Sequence, residues 1–273
     1  GVWNNLDACG WPGPANTGHP AGKSLRNTSG RTISADNTVI DGEKITGGLV
    51  ISGKNVVVRN SWVTQSAGGA EASAVIKITG NGSATIVRTT VDGTDATHIG
   101  ILHNGTNMVA RDNHIRGVTD GIFTWRDNFL IEDNYLHDFS TNGGNGHIDG
   151  FQTEGTSNGV IRHNVFDVEQ GQTSAIAVWN SADDSSNFQI ENNLIAGGGF
   201  SIYAEDYSQH SVTDVRYVNN KFSTVHYPCV GEFGVWYVRG APTDGWNRIG
   251  NVVLETQQNI DSKNPVINGW ECK

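Results

Sequence analysis

Along most of the chain one pattern returns: a short β-rich run, a polar turn residue, and an apolar residue two positions further on. It is carried by Asn60 (VVVRNSW), Asn113 (MVARDNHI), Asn134 (LIEDNYL), Asn164 (VIRHNVF), Asn193 (QIENNLI) and Asn220 (RYVNNKF), with Thr89 (IVRTTV) between the first two. Successive spacings are 29, 24, 21, 30, 29 and 27 residues. A unit of this size cannot bury its apolar face alone, so neighbouring copies must stack. Each stacked coil turns at the same angular position and leaves interior amides without ladder partners. An inward Asn satisfies its own turn and, through its amide, bonds the Asn above and below. Loops of different length account for the uneven spacing.

A second column follows each turn. SAVIKIT (73–79), HIGILHN (98–104), TDGIFTW (119–125), IDGFQTE (148–154), SAIAVWN (174–180), FSIYAE (200–205) and EFGVWYV (232–238) align on Ile76, Ile101, Ile122, Phe151, Ile176, Ile202 and Val235. These are the expected inward residues. Alternation turns the next position outward: Lys77, Leu102, Phe123, Gln152, Ala177, Tyr203 and Trp236. Two further along, outward again, stand Thr79, Asn104, Trp125, Glu154, Trp179, Glu205 and Val238. An antiparallel sandwich would show hairpin turns roughly every 8–12 residues, and this chain repeats at about twice that interval. The expected fold is therefore all-β, a right-handed parallel β-helix (a solenoid) with an Asn ladder. Residues 1–35 read as an irregular amino-terminal capping segment, 36–258 as the helix and 259–273 as a tail. Gly- and Ser-rich stretches at 64–72, 139–147, 223–231 and 240–248 read as surface loops.

Composition excludes some functions. A formal charge of −10 argues against nucleic acid or an anionic membrane as partner. No apolar run approaches the roughly 20 residues of a membrane span. Met108 is the only methionine, so Gly1 is not an initiator; the chain is expected to be either a processed precursor, which fits secretion, or a trimmed piece. The sequons at Asn27, Asn81 and Asn104 would accept glycan in a eukaryotic host. Of three cysteines, Cys229 and Cys272 fall at the same end of a solenoid and Cys9 at the other; either the first two pair, or all three are thiols. No partner chain is implied, and a monomer is expected.

Chemistry is expected on the outward columns. Coils about 4.8 Å apart match the rise of one sugar ring along an extended glycan. Trp125, Trp179, Trp236 and Tyr203 offer rings to sugar faces, while Glu154 and Glu205 offer hydroxyl acceptors. The densest polar run is His147-Ile148-Asp149-Gly150-Phe151-Gln152-Thr153-Glu154, with Asp120 and Arg126 one coil earlier. Asp120 and Asp149 share a column, so their carboxylates fall about 5 Å apart. They are a candidate Ca²⁺ site, or an acid and nucleophile, or turn caps before Gly121 and Gly150. Strict alternation points this column inward, so it needs a bend to be exposed. His147 suits proton transfer near neutral pH, whereas His103 falls at an inward position. Lys77, about 14 Å from Gln152, fits a distal subsite. Gly48–Lys54 mimics a phosphate loop, but Asn55 replaces the Ser or Thr that would hold magnesium and no helix follows.

The Asn column, with the His-x-Asp-Gly-x-Gln run (His147, Asp149, Gly150, Gln152), resembles the pectate-lyase-like superfamily of β-helix proteins, including secreted polysaccharide lyases. That resemblance implies β-elimination on a uronate-containing polymer such as alginate, pectate or glucuronan. His147 would act as base, Gln152 as partner of the substrate carboxylate assisted by Arg126, and Tyr203 as acid. Asp149 would orient His147 or bind Ca²⁺; no other cofactor is implied. The alternatives are a glycoside hydrolase using paired carboxylates among Asp120, Asp149, Glu154 and Glu205, and a non-catalytic glycan-binding solenoid.

Overall fold

Between Arg26 and Val253 every strand ladder is parallel. This holds in a computed structural model that describes residues 1–66, 73–140, 146–205, 209–239 and 246–272. The expected loops at 64–72, 139–147 and 240–248 fall largely outside the described residues. The chain winds as a right-handed parallel β-helix of three walls. The first is built from Ala74–Thr79, the later halves of Thr90–Asn104 and His114–Thr124, then Asp149–Glu154, Ser174–Trp179, Phe200–Glu205 and Gly234–Arg239. The second runs from Val39–Asp41 to Trp246–Ile249. The third includes Trp62–Thr64, Tyr135–Leu136, Val165–Val168 and Leu194–Gly197. Between them lies one continuous core in which Ile76, Ile101, Ile122, Phe151, Ile176 and Ile202 stack in register and are fully buried.

The turn from second to third wall takes two residues, each with its own column. The first of the two is left-handed in every coil: Gly42, Asn60, Arg88, Asp112, Asp133, His163, Asn192, Asn219 and Gly250 all have positive φ. Asn and Asp tolerate this conformation best after Gly. The second is the ladder: Asn113, Asn134, Asn164, Asn193, Asn220 and Asn251, all buried. In each step the main-chain N–H and Nδ2 of one Asn donate to Oδ1 of the next, as Asn134 does to Asn164 at 2.9 Å. Nδ2 also donates to a carbonyl of the preceding coil, closing an interior gap the turn leaves open. Asp261 accepts from Asn251 at one end, and Thr89 donates its N–H to Asn113 at the other. Asn60 is not a rung: it occupies the left-handed column, and Ser61 holds the ladder position in that coil, accepting the Glu43 N–H.

A different device opens the first wall. A Cβ on Gly121 would lie 2.6 Å from Leu136 Cδ2, and one on Gly150 would lie 2.6 Å from Phe166 Cδ1. Both positions therefore face the core, and so do Ile122 and Phe151 directly after them. Two consecutive inward residues break the alternation. Asp120 is thereby turned out of the core towards the outer face, where it stays 2% exposed.

Both ends depart from expectation. Arg26–Ile33 already pairs with Glu43–Ile51, so the helix begins inside the segment expected to be irregular. Residues 1–25 do not cap it but run along the third wall as a strap. Trp3 Nε1 donates to Ser223 Oγ at 2.7 Å. Leu6 and Trp11 pack on Tyr135, Val165 and Leu194. Gly18 N–H reaches Asp112 O, His19 stacks on Trp62, and Lys23 pairs with Asp41 at 2.8 Å. At the other end Cys229 and Cys272 form a disulfide and Cys9 is free and exposed. In the last coil the register is one residue later than expected: Ile202 pairs with Trp236, Tyr203 with Tyr237 and Glu205 with Arg239. Matching Gly234 to Gly121 misaligned the segment, because Gly234 stands opposite Phe200. Trp236 is thus no substrate-binding residue. It plugs the end of the core at 1% exposure, its Nε1 donating to Ile260 O.

Candidate active site

Where the bend turns Asp120 outward, the first wall carries a cleft of ≈ 460 Å³. Its polar lining is His98, Asp120, His147, Gln152 and Glu154, and its apolar lining is Phe123, Trp125 and Trp179. Three consecutive strands supply these groups: the later halves of Thr90–Asn104 and His114–Thr124, then Asp149–Glu154; Trp179 comes from the next strand. His147 lies just before Asp149–Glu154 and is exposed, edge-on to Trp179 with ring centroids 6.1 Å apart.

Asp120 is the centre of this arrangement. Its Oδ2 lies 3.2 Å from His98 Nε2, and its Oδ1 accepts the Asp149 N–H at 3.2 Å. Burial raises its pKa, and the neighbouring His98 opposes that rise, with His147 contributing in the same direction. Asp149, one rung on, is fully buried. Burial first, and the Asp120 charge second, push its carboxyl well above the usual carboxylate range. The Ser174 hydroxyl donates to its Oδ1. Its Oδ2 is buried without a hydrogen-bond partner among the described residues.

Asp120 and Asp149 do not fit a shared Ca²⁺. That ion takes six to eight oxygen ligands, yet Asp149 does not line the cleft and accepts from Ser174 on the next rung, while both Asp120 oxygens are engaged by His98 and the Asp149 N–H. Nor are they an acid–nucleophile pair, because Asp149 is fully buried on the adjacent rung and no sugar can reach between the two. Asp149 holds its neighbour from behind and does not orient the His147 ring, since its hydrogen bonds run to Asp120 and Ser174.

Among the remaining expected residues, Gln152 and Glu154 are brought together, Gln152 Nε2 donating to Glu154 Oε1 at 3.3 Å. Arg126 is not in the cleft; it lines a neighbouring depression beyond Trp125. Tyr203 stands past Trp179, packed on Tyr237 at 4.7 Å, and burial pushes its phenol up. Lys77 shares a column with Leu102 and Phe123, whose side chains fill the outer face between it and the cleft. Glu205 is buried beside Arg239's rung. His103 is buried, its Nε2 3.0 Å from Asp127 O, and burial lowers its pKa. His98 is a cleft residue that the sequence pattern did not single out. The signal was available: Ile99 is the register partner of Asp120, so the residue before it lies diagonally across from that carboxylate.

No protein-family model matches the chain, and no curated protein matches it by sequence. Among solved structures it is similar to the crystal structure of the pectin methylesterase from Aspergillus niger in deglycosylated form. The TM-score is 0.23 and the identity 11%, over 98% of this chain and 89% of that one. So low a similarity carries no functional argument. The ladders define a parallel β-helix, and the bend gives it a cleft with acid–base groups.

Proposed function

We propose that the protein is a secreted polysaccharide lyase that cleaves a uronate-containing glycan by β-elimination in the first-wall cleft. One observation carries this reading. Two imidazoles, His98 and His147, flank a single desolvated carboxylate, Asp120, beside the Gln152 amide and between the Trp125 and Trp179 rings. Imidazole is the side chain that exchanges protons nearest neutral pH. His147, exposed on the cleft lip, removes the C5 proton. The electron pair forms the C4=C5 bond as the C4–O bond breaks, and charge grows meanwhile on the uronate carboxylate, to which Gln152 donates. His98, whose Nε2 lies beside Asp120, gives its proton to the leaving oxygen. The products are an unsaturated uronate end and a free hydroxyl end. The Cys229–Cys272 disulfide supports an oxidising, extracellular setting.

A second reading, glycoside hydrolysis, is favoured by the presence of both Asp120 and Glu154 in the cleft lining and by the lack of Lys or Arg among its described residues. A panel of alginate, polygalacturonate, glucuronan and neutral glycans separates the two. A lyase raises ultraviolet absorbance from unsaturated uronate on an acidic polymer. Reducing ends from a neutral glycan without that chromophore would overturn the lyase reading. Alanine at His147 or His98 is expected to reduce turnover by roughly 10²–10⁴-fold, measured as initial rate of that absorbance.

A further inference from the structure

Trp125 is a ridge with a depression on each side. One is the cleft; the other, ≈ 350 Å³, is lined by Thr106, Arg126, Asp127, Gly155 and Asp183 along with Trp125 itself. Trp125 is 51% exposed. We propose that the second depression is a further sugar subsite in which Arg126 binds the carboxylate of the next uronate unit while Trp125 packs against the sugar face. This deepens the lyase reading and rests on it for the identity of the polymer.

Arg126 is fitted for that role by what it lacks. In a chain with 28 acidic and 18 basic side chains, most guanidinium groups are taken: Arg26, Arg31, Arg59, Arg111, Arg116, Arg162 and Arg216 each pair with a carboxylate. Arg126 is exposed and has no ion pair with any described residue. The two acids of the same depression are turned to main-chain donors instead. Asp127 Oδ1 accepts the Ser157 N–H at 2.8 Å, and Asp183 Oδ1 accepts the Asp184 N–H at 2.8 Å. The floor is closed by main chain: Gly155 has φ +119°, and a Cβ there would lie 2.3 Å from Asp183 O. A planar guanidinium beside an indole, with its fork unoccupied, suits a carboxylate presented at the edge of a sugar ring. A glycan anchored in the cleft meets this site as it crosses Trp125.

The test compares Arg126→Gln and Arg126→Lys with the wild type on a polyuronate and on its methyl-esterified form. Both are read by affinity electrophoresis and by steady-state kinetics, after thermal unfolding shows equal stability. Arg126→Gln is expected to weaken binding to the acidic polymer by roughly 10- to 100-fold, the change falling on KM rather than kcat. Arg126→Lys recovers part of the loss, and binding to the esterified polymer does not change. Unchanged binding of the acidic polymer by Arg126→Gln, equal loss on both polymers, or a wild type that binds no polyuronate overturns the subsite. A wild type that binds polyuronate through Arg126 yet yields no unsaturated product overturns the lyase reading and leaves the subsite standing.

Discussion

Asp149 places an ionisable group where a charge is least tolerated, and its protonation couples the cleft to stability. Its pKa is raised in the folded protein by burial and then by Asp120, whereas in the unfolded chain it returns to about 3.9. The folded state therefore binds this proton more tightly. The stabilisation is complete below about pH 4 and is lost as pH rises towards the folded-state pKa. Asp149→Asn removes the titration. Its unfolding temperature relative to wild type should climb as pH rises from 4, and a difference flat in pH would show that Asp149 is ionised throughout. His114 acts in the opposite sense. Burial first, then His137, lower it to about 3, and its Nε2 lies 2.5 Å from His137 Nε2, a distance that admits one proton and not two. Stability from this neutral pair is full above the unfolded value near 6.5 and falls as pH drops towards 3. His114→Gln should flatten the acid limb of a pH–stability profile across that window.

Among elements, the two columns of the turn separate cleanly by cost. Asn164→Ala strands the Asn134 donors and the Ile131 carbonyl in the core, for about 2–4 kcal/mol by denaturant unfolding. Asn60→Ala removes a side chain that bonds only Asp41 at the surface; with the strain of a left-handed Ala the cost is about 1–2 kcal/mol. Sequence spacing alone treats these positions as equivalent. Asn suits the left-handed residue and the ladder residue for different reasons, so in RNSW the pattern settles on the wrong one of two neighbours. What alternation can register, it registers well: Gln152, Glu154, Trp125 and Trp179 all reach the cleft from their columns. The double inward step at Gly121–Ile122 and Gly150–Phe151 violates a period of two. Alternation therefore points Asp120 the wrong way and, with no repeat to mark it, the strap of residues 1–25 is invisible as well.

For the molecule as a whole, a stack of coils in which each touches only its neighbours would fray from either end. The disulfide closes a 43-residue loop over the last coils, which the chain-entropy relation values at about 4 kcal/mol. Replacing Cys229 and Cys272 with Ser should lower the unfolding temperature, and hydrogen exchange should quicken first around Gly234–Arg239. The strap works on a longer scale. Trp3 bonds a residue 220 positions later in the chain, while Lys23 reaches back to Asp41. Trp3 and Trp11 therefore gain their docking surface only once the coils that carry Leu194 and Ser223 have wound into place. A chain cut before Ser223 leaves Trp3 Nε1 without its acceptor, so the seating of the strap reports whether the far coils are wound.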